Sequence, residues 1–173
     1  LEDVAEAVGI RRASIVYHFR DKPALYDAVL ADALGALLAR LEPALLGPLP
    51  LARRAEAAVS VWVDVVAERP TLARLLLREA ADATPQRTPA VVRHTRPFFA
   101  LVERVVSESA GQVGTPEIDP AVLASQVAGA TVFLVAAMPA LLPGLGFERV
   151  DPERIDALRR ELVTATRRLL PGA

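Results

Sequence analysis

Residues 1–22, LEDVAEAVGIRRASIVYHFRDK, decide how the rest of the chain is understood. Val4, Ala5, Val8, Gly9, Ile10 and Ile15 carry the spacing of a helix, a tight turn and a second helix. Ala5 is small enough for two helices to cross closely, and Gly9 can take the positive φ that a sharp helix exit demands. Val4, Val8, Ile10 and Ile15 are expected to be the apolar pegs that fix the angle of the pair. This is a helix-turn-helix pattern, a motif whose second helix lies in the DNA major groove.

The other residues of the second helix suit that role. Arg11, Arg12, Ser14, Tyr17 and His18 offer donors and a planar ring, and Arg20 and Lys22 follow. From Gly9 to Lys22 the only acid is Asp21, whereas Glu2, Asp3 and Glu6 precede the turn. The positive charge is local, as a phosphate-facing surface requires. Of 20 basic residues in the chain one is a lysine, Lys22.

With VAEAVGI, then the IVYHF run, then the short link Arg20-Asp21-Lys22 into a helix carrying Ala24, Leu25 and Val29, the stretch resembles the TetR family of bacterial one-component regulators. The family's usual form has a small polar residue at position 11, Gly at 13, Tyr at 16 and Lys at 22. This chain has Arg11, Ala13, Val16 and Lys22. Val16 removes a hydroxyl that often contacts phosphate, which leaves Tyr17 and His18 to carry more of the docking. Arg11 puts a long cation where an N-cap side chain usually stands. The match is specific over about the first thirty residues and general beyond them.

Composition is consistent with helices. The chain has 173 residues, 53% of them apolar and only 5% aromatic. A net charge of −1 means that any DNA affinity must come from the local basic cluster. There is no cysteine, hence no thiolate metal site and no cysteine nucleophile. The chain opens with acids rather than a signal peptide and without Met. It is therefore expected to lack upstream residues, including a helix that would pack on both members of the motif. No strand alternation and no internal repeat is present, and the expectation is all-α.

Asp21 and Pro23 should open a helix running to about Leu41, with Leu25, Val29, Leu34, Leu37, Leu38 and Leu41 as its apolar stripe. Pro43, Gly47, Pro48 and Pro50 then mark a boundary between a DNA-binding unit (residues 1–42) and a body (52–173). Within the body, helices are expected at 52–68, 71–83 and 89–109, the last kinked or divided at Pro97. Asp119-Pro120 should open an apolar helix to about Met138, followed by irregular chain over 139–149. Asp151-Pro152 should open the last helix. Residues 127–142 are apolar except for Thr131, yet Gly129, Pro139 and Pro143 interrupt them. The run falls short of the ~20 residues that span a bilayer, so a buried helix, not a membrane span, is expected.

The resemblance implies a cytoplasmic homodimer that binds a double-stranded DNA operator, with no cofactor. Phosphates would be held by Arg12, Tyr17, Lys22 and Arg20, and base edges read by Arg11, Ser14 and His18. It also implies a small hydrophobic effector held by the middle helices. Trp62, Val66, Leu76, His94, Phe98, Phe99, Val102, Gln126, Phe133 and Met138 are the candidates, with His94, Arg78 and Glu79 as polar anchors. The last helix has a 3-4-3-4 seam (Ile155, Leu158, Leu162, Ala165, Leu169), and the one before it is apolar and rich in small residues. Leu123, Val127, Ala128, Ile155, Leu158, Leu162 and Leu169 are therefore the expected dimer interface.

An enzyme would need a nucleophile–base pair, a metal cluster or a phosphate cradle. His18 and His94 share no motif, and no H-E-x-x-H, G-x-S-x-G or glycine-rich phosphate loop occurs. The alternative to a regulator is a helical dimeric small-molecule-binding module without DNA binding.

Overall fold

The computed structural model describes residues 1–83, 90–109, 119–147 and 151–170. Among these there are helices and no strand. The expected loop residues 84–89 and 111–117 lie outside the described residues.

Helices α1 (Glu2–Ala7) and α2 (Arg12–His18) form the head. Gly9, at φ 70°, turns the chain between them, and Ile10 N–H donates to Ala5 O at 3.0 Å across the turn. Ala5 and Ile15 are the buried contact of the pair. The other expected pegs are not buried: Val4, Val8 and Ile10 are 42%, 62% and 48% exposed, because no described element covers that side of the turn.

Asp21 caps α3 (Lys22–Leu46), its carboxylate accepting the Ala24 N–H at 2.8 Å. That N–H, and then Arg20, hold the Asp21 carboxyl below its usual range. The helix runs five residues past the expected stop at Leu41 and contains Pro43. A proline there forfeits one backbone bond in the last turns, while continuing the helix buries Leu45 against Leu101 and Val105. The break comes at Gly47, where a Cβ would meet the Pro43 carbonyl at 3.3 Å. The buried stripe of α3 is Leu30, Leu34, Leu37, Leu41 and Leu45, whereas Val29 is exposed.

The body adds α4 (Leu51–Glu68), α5 (Pro70–Ala81), α6 (Ala90–Ser109), α7 (Pro120–Val132), α8 (Met138–Leu141) and α9 (Pro152–Leu169), with a π-helical segment, Phe133–Ala137, joining α7 to α8. Val59, Trp62, Val63 and Val66 of α4 pack on the α3 stripe, on Leu72 and Ala73 of α5, and on Val127, Val135 and Ile155. Pro97 lies inside an undivided α6.

Pro139 is helical, not irregular as expected. In a regular helix its ring would press on the carbonyl four residues back, Val135, and that residue sits in the wider π turn. Pro120–Leu141 is consequently one stretch of 22 residues containing an 18-residue window of mean hydropathy 1.9, long and apolar enough to cross a membrane. It nevertheless packs one side against α4, α5, α6 and α9.

Candidate DNA-reading head and apolar cavity

On the head, Arg11, Arg12, Ser14, Tyr17, His18 and Lys22 are all exposed, and Tyr17 is 85% exposed. Only Ile15 of α2 is buried, so the remaining side chains of this helix project outward. The Tyr17 and His18 rings meet edge-on at 5.0 Å. Arg11 is the N-cap of α2, with extended backbone and no side-chain cap bond. A guanidinium has no acceptor to offer the free N–H groups of a helix start. Arg12 pairs loosely with Glu2 at 3.6 Å, both side chains more than half exposed. Arg20 Nε holds Asp21 at 3.0 Å. The face is thus basic and open, with its charges paired only at the periphery.

The body holds an apolar cavity of about 510 Å³, lined by residues of α3, α4, α5, α6 and α7 together with Thr166 and Leu170. Of the residues expected at an effector site, Trp62, Leu76, His94, Phe98, Phe99, Val102 and Phe133 line it. Val66 does not, being fully buried in the core behind the wall. Gln126 is exposed and Met138 half-buried, and neither lines the cavity. The wall includes the half-exposed rings of Phe99 and Phe133, so the space reaches the surface on that side.

Sequence reasoning missed the part of the wall that α3 supplies. Leu34, Leu37, Leu38, Leu41 and Leu45, all on α3, line the cavity. The helix that begins beside the head is therefore itself a cavity wall. Its leucine periodicity is the same whether the stripe faces protein or empty space, which is why the sequence alone marks it only as core.

Two of the three expected polar anchors, Glu79 and His94, hold helices together instead. Glu79, buried, accepts the Tyr26 hydroxyl at 2.7 Å and the Val91 N–H at 3.2 Å. Burial, and then the bond to Glu79, push the Tyr26 hydroxyl up to about 12. His94 Nε2 lies 3.0 Å from Asp27 Oδ1, the oxygen that also accepts Arg93 Nη1 at 2.9 Å. The His94 contact, assisted by Arg93, holds the Asp27 carboxyl below its usual range. Arg78 is exposed and pairs with Asp82. Tyr26 and Asp27 of α3 are thereby tied to α5 and to the start of α6, whose following turns line the cavity.

Of the expected dimer residues, Leu123, Val127 and Ala128 line the cavity and Ile155 belongs to the core. Leu158 and Leu162 are half-buried and Leu169 is 39% exposed. The exposed side of α7 carries Val122, Gln126 and Gly129, continued by Phe133 of the π segment, with Gly129 and Phe133 also lining the cavity. The inward face of α9 carries Arg159 and Arg167, which pair with Asp64 and Glu56 of α4. Among the described residues no group of acids and histidines is arranged to hold a metal ion.

No protein-family model and no curated protein sequence matches the chain. Four solved chains do match it in structure. One is a transcriptional regulator of the TetR/AcrR family from Thermobifida fusca YX-ER1, with a TM-score of 0.64 at 19% identity over 94% of this chain and 84% of that one. The chain has the fold of that regulator.

Proposed function

We propose that this protein is a TetR-type transcriptional regulator that binds operator DNA as a homodimer, represses, and is released by a small hydrophobic effector. The observation that carries the reading is the juxtaposition of an exposed basic α2 with a roomy apolar cavity, joined by one helix, α3, that starts at the first and walls the second. In this reading Arg12, Tyr17, Lys22 and Arg20 hold phosphates while Arg11, Ser14 and His18 meet base edges. A bidentate Arg–guanine contact would contribute about 1–3 kcal/mol of discrimination. The exposed stripe of α7 and the Leu158–Leu162–Ala165–Leu169 seam of α9 supply the apolar surface for a twofold partner. Two heads would then sit roughly 34–36 Å apart, one helical turn of DNA. An effector in the cavity touches α3 directly, and a coupling of about 1–3 kcal/mol between the sites suffices for regulation.

The test is binding of the purified protein to fragments tiling the DNA around its own coding region, titrated with salt. Selective binding by a dimer is expected. An Arg12→Ala/Lys22→Ala variant should weaken it roughly tenfold or more and lower the salt slope by about 2, one unit for each phosphate contact removed. Absence of selective binding at low salt by a folded dimer would leave the ligand-binding module without DNA as the function.

A further inference from the structure

The cavity has two unlike ends. Its lining residues run along three helices, Leu34 to Leu45 on α3, Leu51 to Trp62 on α4 and His94 to Val106 on α6, each stretch about 17 Å long at 1.5 Å per residue. Leu51 packs on Leu45, Leu101 and Val105, and Arg167 of α9 reaches Glu56 of α4. The end of α3, the start of α4, the later turns of α6 and the end of α9 therefore meet at one end. There the wall is aliphatic and buried: Leu41, Leu45, Val105 and Leu170 are at most 6% exposed.

The Tyr26–Glu79 and Asp27–His94 bonds set the last turns of α5 and the first turns of α6 beside the early part of α3, at the other end. The π segment that opens at Phe133 packs on α5. Toward this end the wall is aromatic, Trp62 stacking on Phe98 and Phe98 meeting Phe99 edge-on. It also comes to the surface, Leu77, Phe99 and Phe133 being at least 39% exposed.

Among the described residues no Asp, Glu, Lys or Arg lines the space. Its polar side chains are engaged: Thr95 and Thr166 donate to carbonyls of their own helices, and His94 Nε2 is held by Asp27. A hydrated group carried into the aliphatic end would lose its water with nothing to replace it. Each methylene placed there leaves water at a gain. A polar group left at the exposed rim keeps its hydration.

Resting on the reading of this cavity as the effector site, we infer that its ligand is a straight-chain amphiphile, whose hydrocarbon tail lies along α3 into the aliphatic end while its polar head stays at the rim formed by Leu77, Phe99 and Phe133. The tail supplies the affinity, and the head fixes the direction of entry.

The probes are the linear primary alcohols hexanol, octanol and decanol, titrated by calorimetry into the whole protein. Affinity should rise about fourfold for each added methylene. Adamantanol, as rich in carbon as decanol but compact, should bind at least tenfold more weakly than decanol. Octanol, octanoate and octyltrimethylammonium should bind within about fivefold of one another, the scale of effects between solvated charges. Intermolecular NOEs in the unaltered protein fix the direction without any variant: the terminal methyl of decanol should reach Leu45 and Val105, and the methylene beside its oxygen should reach the Phe99 ring. Ala55→Phe, which fills the aliphatic end, should weaken decanol at least tenfold and hexanol less than threefold. Affinity flat along the series, adamantanol equal to decanol, charged heads rejected by orders of magnitude, or NOEs in the reverse direction would overturn the tail-first amphiphile and leave the cavity as effector site intact. If none of the probes binds, the effector-site reading fails and the ligand class falls with it.

Discussion

In α1 and α2 the buried residues are Ala5 and Ile15, while Val4, Val8, Ile10, Val16 and Tyr17 stand out in solvent; in α3 and α4 every turn after Leu30 buries at least one side chain. The head is a thin support that displays its polar residues, and the body is a thick wall around a space. In the proposed regulator, recognition by the head would reside in which side chains it exposes, and recognition by the body in what its packing leaves empty. The first kind is written in residue identity and local spacing. The second is a property of how helices distant in sequence meet.

The comparison can be broken most sharply with paired truncations. Leu30→Ala in the body, at a site with no exposed surface, should cost about 2–5 kcal/mol in denaturant unfolding. Val8→Ala in the head should stay within about 0.5 kcal/mol, as expected of a side chain already 62% exposed. Comparable losses at the two positions would mean that the head is covered in solution.

The next effect concerns the clamp between α4 and α9. Glu56 is buried, accepting Arg167 Nε and Nη2 at 2.8 and 3.0 Å and Arg53 at 3.1 Å. The bonds from Arg167, then its charge and that of Arg53, hold the Glu56 carboxyl below its usual range despite burial. A carboxyl with a lowered folded-state pKa contributes stability above its unfolded value of about 4.5, and that contribution is lost as pH falls through the lower folded value. Glu56→Gln should therefore cost about 1–2 kcal/mol near neutral pH and much less under acid conditions, followed by thermal unfolding at a series of pH values. A cost independent of pH would assign the loss to packing rather than charge.

The smallest effect sharpens the head alone. Arg11→Ser supplies α2 with the cap it lacks and should raise stability by about 1 kcal/mol. If Arg11 meets a base edge, the same change should weaken operator binding and relax selectivity at that position. Stability gained with no change in DNA binding would remove Arg11 from the reading surface.

The helix starts at Asp21, Asp119 and Asp151 were legible because a cap acts over three residues: each aspartate accepts N–H groups two or three positions ahead. Two prolines misled: Pro43 and Pro139 look like stops, yet each lies within a helix, where a buried neighbour or the π turn accommodates it, whereas Pro97 lies inside its helix as expected. The aromatic part of the cavity could be anticipated, since Trp62, Phe98, Phe99 and Phe133 are scarce residue types in this chain. The leucines of α3 could not, and neither could Leu123, Val127 and Ala128 on the same wall, because a side chain that faces a void follows the same helical period as one that faces a neighbour.

The attachment of α3 through Tyr26 and Asp27 has a mechanical consequence. The helix is roughly 36 Å long from Lys22 to Leu46, but only about 6 Å separates Lys22 from Tyr26, at 1.5 Å per residue. Treated as a beam, it is pinned near the head, with its long arm reaching back along the cavity. Pivoting by 10° about the pin would swing Lys22 by only about 1 Å, while the far end at Leu46 would sweep about 5 Å. Leverage favours the wrong end. In the proposed regulator, a shift of the head by the several ångströms that separate neighbouring base pairs would therefore have to come from displacement of the pin, carried by α5 and α6, with the Tyr26–Glu79 and Asp27–His94 bonds as the fasteners that would deliver it.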